Sequence, residues 1–144
     1  MTDDDFLSVM DEDMHCRLDK AKEIYSAPYA RNLGIEIQHI SSDSVSLYLD
    51  IRPEHINSRG FVHGAVIYGL TDHTLAFASN LDKEAVGQST DIIYHRPVRS
   101  GRIISMSKLI NESKSLAVYD IRVYSEGKLI SSSVCTAFKL GEKK

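Results

Sequence analysis

Hydrophobic positions change their period several times along the chain, and each change marks an element. Between Asp5 and Tyr29, Phe6, Val9, Met10, Met14, Leu18, Ala21 and Tyr25 recur at three- and four-residue steps. That spacing predicts one amphipathic helix, stopped near Pro28. From Leu33 to Ile40 the step falls to two, with Leu33, Ile35 and Ile37 alternating against Gly34, Glu36 and Gln38. Val45, Leu47, Leu49 and Ile51 alternate in the same way with Ser46, Tyr48 and Asp50, so both stretches read as strands. The Ser41-Ser42-Asp43-Ser44 link makes them a hairpin.

A polar loop from Asn57 then turns at His63-Gly64 into an apolar helical run that lasts to Asn80. Strands follow over Ser89 to Arg96 (ending at Pro97), Arg102 to Ile110, Leu116 to Tyr124 and Leu129 to Leu140. Turns fall at Asn111-Glu112-Ser113-Lys114 and Ser125-Glu126-Gly127-Lys128. Six strands with one long buried helix predict an α+β domain, an antiparallel sheet holding that helix on its concave face. The other face would need water or a second subunit. There is no internal repeat, low-complexity segment or second-domain linker. Residues 1–30 read as a helical extension and 31–144 as the domain proper.

Composition narrows the partners. At 144 residues, 42% hydrophobic and 26% charged, the chain has the size and balance of one soluble domain. A net charge of −3 offers no basic field to a nucleic-acid backbone. No apolar run approaches the roughly 20 residues of a membrane span. The N-terminus is acidic in Asp3-Asp4-Asp5 and Asp11-Glu12-Asp13, which reads as a solvated end and not as a signal peptide. Cys16 and Cys135 match no metal or redox spacing, so a reducing, cytoplasmic location is expected.

The chemistry concentrates where Thr71-Asp72-His73-Thr74 interrupts the apolar helix. These are mediocre helix formers, and Asp is almost never buried without a partner or a task. At the other end, Gly64 opens the helix, where free N–H groups and the positive end of the macrodipole suit an anion or a developing oxyanion. Two readings of His63-Gly64 stand here, a tight helix start or such a site. Asp72 has two as well, a carboxylate held by Arg or Thr side chains, or one kept for chemistry.

Eight residues separate Gly64 from Asp72, roughly 12 Å along a helix axis, so one helix cannot easily aim both at one atom. An antiparallel partner helix could. Ala65, Tyr68, Gly69, Asp72, Ala76 and Ser79 share a mostly small helical face. His55, His63 and His73 lack the spacing of zinc ligands on one helical turn, so neither a metal nor a cofactor is expected. Nucleophile-elbow, P-loop and dinucleotide motifs are missing too. Arg96, Arg99, Arg102 and Lys114 read as a solvated rim, with phosphate contact as the alternative.

Asn57-x-x-Gly60-x-x-His63-Gly64, with Asp72 nine residues after His63, resembles the hotdog-fold acyl-CoA thioesterases, in their phenylacetate-pathway and THEM-like branch. The likeness runs from Leu33-Gly34-Ile35 through Tyr94-His95-Arg96-Pro97 to the last strand. It implies a six-stranded sheet wrapped around one central helix, and a homodimer, often paired again into a homotetramer. It implies that Gly64 donates to the thioester oxygen and that Asn57 positions substrate or water. The partner's Asp72 equivalent would act as general base or nucleophile. His63, Ala65, Tyr68, Ser89 and Thr90 are the implied substrate neighbours, with His63 expected to fix the loop through a ring nitrogen. Ala65 departs from the family, which usually has a second Gly there. Tyr68, Phe61, Phe77 and Tyr94 are candidates for an acyl pocket or for core. The alternatives are a non-catalytic acyl-CoA sensor and a hydratase, but the hydratase motif is missing.

Overall fold

The computed structural model describes residues 1–141; the last three residues of the expected 31–144 domain lie outside them. The N-terminal stretch is not one helix. It folds as α1 (Asp3–Ser8), a 3-10 turn (Glu12–Arg17), α2 (Leu18–Tyr25) and α3 (Pro28–Leu33). The break has a physical cause in the sheet. Asp11 donates its N–H to Ile40 O at 2.9 Å, and Ile40 donates to Val9 O at 2.8 Å. The free edge of the first strand thus captures residues 9–11 from the helix.

Pro28 begins a helix where the pattern predicted a stop, because its fixed φ and missing N–H suit the first helical position. Leu33 closes α3, and Gly34 at φ 81° caps it in the left-handed region. The first strand is therefore shorter than its alternation implied. It is β1 (Glu36–Ile40), followed by β2 (Val45–Asp50), α4 (Gly64–Asn80), β3 (Ala85–Tyr94), β4 (Arg102–Glu112), β5 (Leu116–Ser125) and β6 (Lys128–Lys139).

The strands form one antiparallel sheet in the order β1-β2-β4-β5-β6-β3. Its inner face carries Leu47, Leu49, Ile103 and Val123, each fully buried, in one cluster with Leu70 and Phe77 of α4, and Ile121 in a second cluster with Leu75. Truncating any such side chain to Ala typically costs about 2–5 kcal/mol. Across the ladder β6 offers, beside the buried Ile130, the small residues Ser131, Ser133, Cys135 and Ala137, over which a helix can lie close. Phe6 and Met10 share the larger core with β1, β2 and α4, so the N-terminal helices are packed onto the sheet layer.

β3 is the sheet's edge, ten residues long, with Val86, Ile93 and Tyr94 exposed. Among the described residues no helix is long and apolar enough to cross a membrane.

Candidate active site

The loop ahead of α4 is folded by Asn57. Its Oδ1 accepts from Arg59 N at 2.9 Å and Phe61 N at 3.1 Å, and its own N–H donates to Phe61 O at 2.7 Å. With the carbonyl oxygen committed to the loop, only the side-chain NH₂ remains to meet a ligand. The loop continues as a short ladder, with Ile56 opposite Val62 and His63 N–H donating to His55 O at 2.8 Å. A second loop locks on through Val62 N–H and Val98 O at 2.7 Å.

His63 is the N-cap, its Nδ1 accepting from Ala65 N at 3.2 Å. A ring nitrogen therefore fixes the helix start, and Nε2, on the exposed side, carries the proton of the neutral ring. Val66 N–H is taken by His63 O. Among the described residues, no acceptor takes the Gly64 N–H. Tyr94 reaches over from the end of β3. Its hydroxyl donates to Gly64 O at 3.2 Å, and its ring would stand 3.4 Å from any Cβ placed on Gly64. Burial, and after it the nearby Tyr68, pushes the Tyr94 phenol up.

Asp72 stands two turns further along the exposed side of α4, above the sheet edge. Its Oδ1 comes within 4.0 Å of where a Cβ on Gly87 would sit. Burial of the carboxyl raises its pKa, and among the described residues no cation or donor offsets this. The Thr side chains do not serve it. Thr71 Oγ1 donates to Ile67 O, while Thr74 Oγ1 bonds Leu70 O and, at 2.6 Å, Ser105 Oγ. Asp72 is thus a surface residue whose carboxyl is partly desolvated, and among the described residues it has neither the Arg nor the Thr partner that a structural role would give it. His73, beside it, turns inward against Phe77 and takes no part in the open face.

β3 carries a bulge between Gly87 and Ser89 beside Asp72, a common device for re-aiming side chains near a site. It also sets the register. Thr90 opposes Cys135 and so faces the helix, whereas Ser89 opposes Thr136 and faces away. The Cys135 thiol, pushed up by burial, feels both the Thr90 hydroxyl and the Asp72 carboxylate. The structure therefore turns Thr90 to the helix-facing side of β3, beside Cys135, and turns Ser89 away from it.

The expected small face of α4 is only partly open. Ala65, Tyr68 and Asp72 are exposed, Gly69 is covered by Leu33 and Tyr29, and Ser79 is buried. Phe77 is fully buried, a core residue and not a pocket wall. Tyr94, whose place over Gly64 depends on strand register, carried no local signal of that contact. Arg102 is committed to Asp50 through bonds of 2.8 and 3.1 Å, whereas Arg99 lies over the Phe61 ring at 4.2 Å. Among the described residues no three His, Cys, Asp or Glu side chains gather as a metal site.

Residues 59–131 match the family described as the thioesterase superfamily. A Deinococcus radiodurans protein, provisionally named an esterase, is 33% identical over 96 residues, which span 66% of either chain. Among solved structures, a mutant of the phenylacetic acid degradation protein PaaI from Thermus thermophilus is 32% identical. The match covers 79% of this chain and 100% of that one, with a TM-score of 0.76. A Haemophilus influenzae thioesterase is 25% identical over 85% of this chain and 89% of its own, with a TM-score of 0.78.

Proposed function

This chain belongs to the thioesterase superfamily, and from that membership we propose that it hydrolyses an acyl-CoA thioester at a site built by two copies. The observation that carries the proposal is a pair of uncommitted groups on one open helix face. Among the described residues, Gly64 has no acceptor for its N–H at the positive end of α4, and Asp72 has no partner for its partly desolvated carboxylate. Each is what the other lacks.

Their separation along one helix, roughly 12 Å, forbids both from serving one carbonyl in the same chain. The edge strand supplies the remedy. A long edge strand such as β3, with exposed apolar residues toward both ends, is a template for pairing with another strand. When two copies pair there about a two-fold axis, their α4 helices become antiparallel neighbours. The Gly64 end of one then faces the Asp72 of the other. The outer sheet face, with Val86, Val134 and Phe138 exposed, offers ground for a second pairing of dimers.

In this mechanism the thioester oxygen sits on the Gly64 N–H, and Asn57 NH₂ steadies substrate or water. Asp72 from the partner removes a proton from water as the oxygen adds to the carbonyl carbon. Its raised pKa makes it a stronger base than a solvated carboxylate. The Gly64 N–H and the helix dipole hold the oxyanion. Collapse of the tetrahedral intermediate breaks the C–S bond and releases a thiolate, which leaves readily without a strong general acid. Tyr68, Ala65 and Thr90 line the approach. The CoA end of the substrate has a counterpart in Arg59, Arg96 and Arg99. Arg31, Arg52, Arg102 and Arg122 each meet a carboxylate, but among the described residues none meets these three. They occupy the two loops that lock together at the start of α4, well placed for phosphates.

The test is thiol release from acetyl-, hexanoyl-, palmitoyl-, phenylacetyl- and benzoyl-CoA, run beside Asp72→Asn. Turnover of at least one ester is expected, falling in the variant by about 10²–10⁴, the weight of a positioned base. Bound esters that never turn over would replace the enzyme with a sensor.

A further inference from the structure

The Gly64 donor is aimed by more than its own helix. Its N-cap residue, His63, hangs from the carbonyl of His55, and His55 is 3% exposed, a nearly sealed polar ring. The ring has a defined task on each side. Nδ1 accepts the Arg52 N–H at 3.0 Å, while the His55 N–H returns to Arg52 O at 2.9 Å, closing the 52–55 turn on itself. On its other side Nε2 lies 3.3 Å from Arg52 Nη2, so the ring is held between the backbone and the guanidinium of Arg52.

The Arg52 guanidinium covers the same junction. Its Nη2 donates to Asn32 O at 2.5 Å, and its Nη1 would lie 3.4 Å from a Cβ on Gly34. Arg52 thereby satisfies an end carbonyl of α3, a favourable place for a cation. α3 in turn rests on α4 at Gly69, through Leu33 and Tyr29. A closed circuit results, from α3 through Arg52 and His55 to His63, along α4 to Gly69, and back to α3.

We propose that His55 is a positioning residue for the reaction, holding the Gly64 N–H on the thioester oxygen by tying the N-cap to the C-terminus of α3. It touches neither substrate nor reacting atoms and acts only through His63. The inference rests on the thioesterase reading for its kinetic consequence, but not for its geometry. It also gives the N-terminal helices a part in the chemistry as a buttress behind the oxyanion donor.

Three substitutions separate this role from plain folding. His55→Phe fills the space and removes both ring bonds. His55→Asn restores an acceptor where Nδ1 stood, and His55→Gln restores a polar group where Nε2 stood. In the phenylalanine variant kcat should fall about 10- to 100-fold while KM stays within about twofold, the signature of a misaimed group. His55→Asn should recover most of the loss, because the 52–55 turn carries His63, and His55→Gln should recover less. In parallel, amide hydrogen exchange should quicken at His63 and Ala65 of His55→Phe, whose N–H groups bond His55 O and His63 Nδ1, and stay unchanged at Leu70.

Full kcat per folded molecule in the phenylalanine variant would overturn the proposal, as would exchange rising uniformly along α4. If the phenylalanine variant does not fold, the asparagine and glutamine variants alone decide, equal kcat in both overturning it. If the wild type turns over no ester, the thioesterase reading falls and the exchange pattern still decides the role of His55.

Discussion

Asp72 and His73 are adjacent and shift in opposite directions from one cause, because desolvation disfavours the charged form of each and so raises a carboxyl and lowers an imidazole. His73 turns inward, edge-on to Phe77 at 5.2 Å between ring centroids, and among the described residues its buried Nε2 has no hydrogen-bond partner. Burial, with the Arg31 charge nearby, pushes its pKa down to about 4. The folded chain therefore resists a proton that the unfolded chain accepts near pH 6.5. Stability is complete above about pH 6.5 and drains away as pH falls toward 4, by up to about 3 kcal/mol from this residue. Asp72 acts the other way, since its raised carboxyl takes up a proton more readily in the folded state. Urea denaturation of the wild type and His73→Phe at pH 7 and pH 4.5 isolates the histidine. The variant should lose less stability between the two values, and equal losses would remove His73 from the account.

At the scale of elements, the strands were legible because one face is buried and alternation records it. β2 shows this directly, with Val45, Leu47 and Leu49 all buried. The N-terminal segment was not legible. Its three- and four-residue steps are true of α1 and α2 separately, but the break between them is imposed by Ile40, some thirty residues on, through backbone bonds that leave no pattern in side chains. The candidate site divides in the same way. Gly64 and Asp72 stood out by residue type, whereas the Tyr94 contact and the choice of Thr90 over Ser89 depend on a register fixed by a bulge.

Gly69 was visible as a small residue, but its reason was not, since α3 was not foreseen as a separate helix. A Cβ there would lie 2.7 Å from Leu33 Cδ1 and 3.5 Å from the Tyr29 ring. In Gly69→Ala the flexible leucine end can swing, and Ala gains about 0.8–1.0 kcal/mol in helix propensity, so the two nearly cancel. In Gly69→Leu the tyrosine ring is met as well, and overpacking should cost about 1–3 kcal/mol. Chemical denaturation of both variants should show that order. An alanine variant weakened as much as the leucine one would mean that α3 cannot yield at all.

The whole molecule poses the question of which chain supplies which group, and its own geometry provides a clean test. Gly64 is the first residue of α4, a position where proline is welcome. The preceding His63, at φ −62° and ψ 135°, already has the extended backbone that proline requires before it. Gly64→Pro should therefore fold while deleting the one N–H assigned to the oxyanion, lowering kcat by about 10²–10³. Asp72→Asn deletes the base and leaves that donor intact. If each site takes Gly64 from one copy and Asp72 from the other, a dimer of the two variants contains one doubly damaged site and one intact site. Random reassortment of equal amounts makes about half of the dimers mixed, so activity should return to about a quarter of the wild-type level. If both groups act within one chain, every site in the mixture is damaged and mixing restores nothing. Subunit exchange followed by the thiol-release assay distinguishes the two, and failure of recovery with mixed dimers present would refute the shared site.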